Sequence, residues 1–125
     1  MVVAALCLAA LACQGEPHHS CSGQQPSYAG EVAPVLQGCS GGEICHGFGG
    51  AQMAYQLLVN VPSTRDGCDP GMLVAPGDVS GSYLVNKLDG VGMCPDTMRM
   101  PFGGPLPAAQ IQTIVDWICS GAPNN

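Results

Sequence analysis

"PAAQIQTIVDWICSGA", residues 107–122, is the most regular stretch of the chain. Ile111, Ile114, Val115 and Ile118 recur at three- and four-residue spacing, which places them on one face of a helix. Pro107 suits the first turn, where a missing N–H costs nothing, and Gly121 suits the C-terminal cap. Trp117 and the Ile series read as core, and Cys119 lies at the helix end.

Upstream, residues 89–106, "DGVGMCPDTMRMPFGGPL", hold three Met and three Pro without periodicity. A loop of this length in a small domain usually holds or wraps something. Residues 74–88, "VAPGDVSGSYLVNKL", read as a turn and then a helix, with Asp78 or Ser80 as cap and Tyr83, Leu84 and Leu88 as its apolar side. Residues 51–60 place Met53, Leu57 and Leu58 on one side of a further helix that Pro62 closes. In residues 27–37, Tyr28, Val32, Val35 and Leu36 have helical spacing, Ser27 is an N-cap and Glu31 lies near the first turn. Pro34 makes that helix short, kinked or late to begin.

A chain of 125 residues is expected to form one domain. Two Phe, three Tyr and one Trp give little aromatic bulk, and 18 Gly with 11 Pro imply many loops. Packing alone leaves such a chain marginal, so a cofactor or cross-links are expected to supply the remainder. Net charge is −6, and Arg65, Lys87 and Arg99 are the only strong cations. That balance argues against nucleic acid as a partner, because such binding rests on phosphate neutralisation. It argues equally against electrostatic attachment to anionic lipid.

The opening run "MVVAALCLAALAC" is apolar but too short to span a bilayer. It suits a secretory signal, and "ALAC" resembles a bacterial lipobox with Cys13 as the lipidated residue. Ordinary secretion and a buried N-terminal helix are the alternatives. Residues 14–26 read as a polar tether, with His18 and His19 solvated rather than fixed as metal ligands. The mature chain is expected on the periplasmic or extracellular face, as a membrane-anchored lipoprotein, where disulfides persist.

If Cys7 leaves with the signal and Cys13 takes lipid, six cysteines remain: Cys21, Cys39, Cys45, Cys68, Cys94 and Cys119. In "GCSGGEICHG", residues 38–47, Cys39 and Cys45 enclose five residues and His46 follows directly. A c-type haem site normally has two residues between its cysteines. Gly41 and Gly42 would let a longer spacer bulge outward. Two readings stand: a stretched haem site, or a short disulfide loop with His46 beside it and Met98 and Met100 as packing residues. Parity allows both, since the six cysteines make three disulfides without haem and two with it. Met100-Pro101, on a loop before the last helix, is where a distal methionine ligand would lie.

Together "EVAPVLQGC" (31–39), "CHG" (45–47), "VAPGDVSGSYLVNKL" (74–88), "MP" (100–101) and "IQTIVDWICSGA" (111–122) resemble a class I c-type cytochrome domain of secreted bacterial proteins. The resemblance spans residues 28–122; the five-residue spacer and additional cysteines fit a divergent, haem-degenerate member. It implies an all-α, cytochrome c-like fold of three to five short helices with long Gly/Pro-rich loops and crossing N- and C-terminal helices. The expected division is a signal at 1–12, anchor and tether at 13–26, the domain at 27–122 and a tail at 123–125. One haem c would be held by Cys39 and Cys45 as thioethers, His46 as proximal iron ligand and Met100 as distal ligand. Crossing terminal helices would bring Cys21 to Cys119, while Cys68 and Cys94, in turn-rich loops flanking Asp78–Leu88, would pair with each other. The implied function is electron transfer by a monomer that docks briefly with redox partner proteins. The alternative is a haem-free, disulfide-stabilised binding or structural module of the same fold. No nucleophile–base–orienter set, carboxylate pair or phosphate-cradling loop stands out, so the chain is not expected to be an enzyme.

Overall fold

The computed structural model describes residues 18–37, 54–64 and 67–125. Among these residues the regular structure is mostly helical. A π-helical turn (Tyr28–Val32) runs into α1 (Ala33–Leu36), a 3₁₀ turn follows at Tyr55–Leu57, and then come α2 (Tyr83–Asp89) and α3 (Ala108–Cys119). The extended pairing in the described residues is limited to isolated bridges, among them Val59 with Val74 and Met72 with Ser82.

The first helical segment shows why its sequence reads ambiguously. The Ser27 hydroxyl accepts from the Gly30 N–H at 3.2 Å, and the Glu31 carboxylate accepts from the Ser27 N–H at 2.8 Å. This reciprocal cap is related to a capping box, with the acid four residues on instead of three. The wider turn, in which Val32 N–H reaches back to Ser27 carbonyl at 3.2 Å, accounts for the extra residue. Pro34 then falls at the start of α1, where its missing N–H is tolerated. The other orphan donors of the turn are met from far along the chain. Tyr28 N–H donates to Asn125 Oδ1 at 3.0 Å and Ala29 N–H to Asn125 carbonyl at 2.9 Å. Residues 123–125, read as a tail, therefore cap the first helical turn.

α3 starts after Pro107 and ends with Gly121 at φ 97°, where Ala122 N–H returns to Trp117 carbonyl at 2.9 Å. Its apolar side packs against the π turn and α2. Val32, Leu36, Leu88, Ile114, Val115, Trp117 and Ile118 are fully buried in this contact. Tyr28 and Tyr55 complete an aromatic cluster with Trp117, with ring centroids 5.3–6.3 Å apart. Tyr55 Oη donates to Ala122 carbonyl at 2.7 Å and Trp117 Nε1 to Pro123 carbonyl at 2.9 Å, so both polar tips are satisfied.

Two sequence expectations are corrected. The helix expected over 51–60 is, in its described part, a single 3₁₀ turn, and Leu57 is exposed rather than on a buried face. Tertiary pairing overrides the helical pattern: Asn60 N–H donates to Val74 carbonyl at 2.9 Å, and Val74 N–H donates to Leu58 carbonyl at 3.1 Å. Nor does Asp78 or Ser80 cap α2. Asp78 instead closes the preceding turn by accepting from Gly81 N–H and Ser80 Oγ. The first N–H groups of α2, on Tyr83 and Leu84, donate to the carbonyls of Met72 and Leu73.

Cys21 is bonded to Cys119 and Cys68 to Cys94, the two pairs named from the sequence. The first closes a sequence separation of 98 residues, so its loss should cost about 4 kcal/mol through the unfolded state. A Cys21→Ser, Cys119→Ser protein is expected to unfold at markedly lower denaturant, the second disulfide remaining intact. Unchanged unfolding would mean that the covalent link is redundant with the packing around it.

Candidate functional site

Of the expected haem ligands, Met100 lies within the described residues; Cys39, Cys45 and His46 lie outside them, as does Cys13. The surroundings of Met100 begin at the C-terminal end of α2. Gly90 ends that helix in the left-handed conformation, φ 76°, donating to Asn86 carbonyl at 2.8 Å. The chain then loops out to Cys94, which is buried, linked to Cys68 and donates its N–H to Tyr83 Oη at 3.0 Å. Thr97 Oγ1 donates to Cys94 carbonyl at 2.7 Å and turns the chain back toward α2.

Three successive residues then dock on the end of α2. Lys87 Nζ donates to Met98 carbonyl. Arg99 Nε donates to Leu88 carbonyl at 2.8 Å. Met100 N–H donates to Lys87 carbonyl at 2.8 Å. Met100 is half-buried, and a cis peptide joins it to Pro101. Its neighbours Met98 and Phe102 are 56% and 63% exposed. The sequence pointed to Met100 but missed Arg99 and Lys87. Their signal was scarcity: two of the chain's three strong cations lie on the loop and on the helix it docks against.

A second constellation fixes the N-terminal strap, residues 18–22. Asp116, on α3 and 3% exposed, accepts from Ser22 N–H at 2.7 Å and Ser22 Oγ at 2.6 Å. Gln112 Nε2 donates to the same carboxylate and to Ser20 carbonyl, each at 3.0 Å. His19 Nε2 lies 2.7 Å from Asp89 Oδ2, beside an open cavity of about 290 Å³ that Val79, Val85 and Val91 also line. His19 is thus a structural partner rather than a solvated tether residue, while His18 is exposed. Among the described residues, no group of three His, Cys, Asp or Glu side chains is placed to hold a metal ion.

Comparison with known proteins finds no matching family model, no matching curated protein and no matching solved structure. Among the described residues no helix is long and apolar enough to cross a membrane.

Burial pushes the Asp116 carboxyl up, but the bonds from Ser22 and Gln112 outweigh it and hold the carboxyl below the usual carboxylate range. A carboxyl depressed in the folded state contributes stability that is fully present above its unfolded value of 3.8 and is lost as pH falls through the folded value. Asp116→Asn is therefore expected to lower the melting temperature at pH 7. The gap to wild type should shrink steadily once pH drops below 3.8. A gap that stays constant across that range would contradict an ionised Asp116 as the partner of Ser22.

Proposed function

We propose that the chain is a single-haem electron carrier of the c type, held at the outer face of a membrane by lipid on Cys13. The observation that carries this reading is that His46 directly follows Cys45 and that Met100-Pro101 comes late in the chain, since the division of the cysteines by itself suits a third disulfide equally. Cys21, Cys119, Cys68 and Cys94 are committed to disulfides. Apart from Cys7 in the expected signal and Cys13 as the lipidated residue, that leaves Cys39 and Cys45, the pair directly followed by His46. Two thiols, an imidazole and a late Met-Pro thioether are the donor set that c-type haem takes. The half-buried Met100, on a loop pinned at three successive residues, fits the role of distal ligand better than the exposed Met98.

In this reading Cys39 and Cys45 would hold the group covalently, and His46 and Met100 would ligate its iron. When bound, such a haem supplies reversible one-electron chemistry at its iron. The rest of the chain does no substrate chemistry. Methionine ligation would raise the haem's potential. The domain would act as a monomer that docks briefly with larger redox partner proteins.

A specific observation favours a second reading, a haem-free module of a cytochrome c-like fold. The buried apolar side chains of the described residues form one cluster, and no buried side-chain N or O among them lacks a partner.

Absorption of the purified protein, made alongside cytochrome maturation machinery, separates the two. The haem form is red and shows a reducible visible band. His46→Ala should leave little stable coloured protein. Met100→Ala should keep the covalent haem, lower its potential and admit external ligands, whereas Met98→Ala should do neither. A colourless product from the wild-type chain would sink the electron-transfer reading.

A further inference from the structure

We propose that Arg99 is a positioning residue for Met100, setting the register in which this methionine, and not Met98, is the half-buried one; the proposal rests on the reading of Met100 as the distal iron ligand. α2 ends at Asp89, and its helical bonding stops with Gly90 N–H on Asn86 carbonyl. Val91 N–H, the natural partner of Lys87 carbonyl, is diverted to Asn86 carbonyl at 3.2 Å. The carbonyls of Lys87 and Leu88 are taken up instead by Met100 N–H and Arg99 Nε, both at 2.8 Å. The Arg99 bond is charge-assisted, hence the stronger kind.

Close packing reinforces the placement. Gly90 has φ 76°, and a Cβ built there would meet Arg99 Cδ at 2.8 Å. The Arg99 stem therefore lies across a site that only glycine leaves open. Lys87, whose carbonyl takes the Met100 N–H, also donates its ammonium to Met98 carbonyl. The backbone of 98–100 is thus held on both sides of Arg99. In this register Met98 is 56% exposed while Met100 is half-buried. A slip along the loop would exchange the two thioethers, and nothing in the apolar character of either methionine would prevent it.

Two substitutions separate positioning from charge. Arg99→Gln sets an amide N–H at the same number of bonds from Cα as Nε, without charge. Arg99→Leu keeps the apolar stem and removes the donor without adding a thioether. In the haem-loaded full chain, Arg99→Leu should raise hydrogen exchange at the Met100 amide by roughly two- to tenfold. It should also produce a fraction lacking the methionine-ligation absorption and with a lowered potential. Arg99→Gln should restore both readouts. Arg99→Leu protein with unaltered ligation and potential would overturn the positioning role while leaving the electron-carrier reading intact. A wild-type chain without haem mass would overturn that reading and the ligand role together. Exchange at Met100 would still report whether Arg99 holds the loop.

Discussion

The chain's N-terminal strap is fastened to α3 by one covalent bond and one carboxylate, and the rest of the domain is arranged around that junction. Cys21 is linked to Cys119, and Ser22, one residue on, gives both its N–H and its hydroxyl to Asp116. These contacts fix the direction in which the chain enters the domain. They also set the π turn against α3, where Trp117 and the Ile series are buried. The other end of the chain completes the closure, because Asn125 caps the π turn. A core with few aromatic side chains is thus fastened at Cys21, Ser22 and Asn125, which limits how far the packing alone must stabilise it.

From that junction two kinds of structure radiate. On one side, buried apolar contacts connect α3 to Leu88 of α2. On the other, polar contacts organise what is otherwise irregular backbone: Tyr83 holds Cys94, Thr97 turns the loop, and Lys87 and Arg99 hold residues 98–100. Met100 is placed by backbone and cation bonds rather than by its own packing.

Much of this was legible in the sequence where the signal is local. The 3.6-residue spacing of Ile111, Ile114, Val115 and Ile118 named α3, and Gly121 named its end. The resemblance, through its crossing helices, named the link from Cys21 to Cys119. The helix expected at 51–60 failed because Val59 pairs with Val74, a partner that no local pattern reveals. The cap expected at Asp78 failed for a similar reason: the donors that open α2 are satisfied by Met72 and Leu73. Arg99 and Asp116 carried no periodic signal, since each acts on a group distant in the sequence. Of the expected haem ligands, only Met100 falls within the described residues, so the candidate site was legible in composition and spacing more than in geometry.

Beside the disulfides Cys21–Cys119 and Cys68–Cys94, the central proposal is that Cys39 and Cys45 hold a cofactor. A non-reduced peptide map of the mature protein, alkylated before digestion, tests it in one measurement. The expected map joins Cys21 to Cys119 and Cys68 to Cys94, and gives a Cys39–Cys45 peptide heavier by one haem. A map that places Cys39 or Cys45 in a disulfide, with each other or with any of the four, would contradict the account.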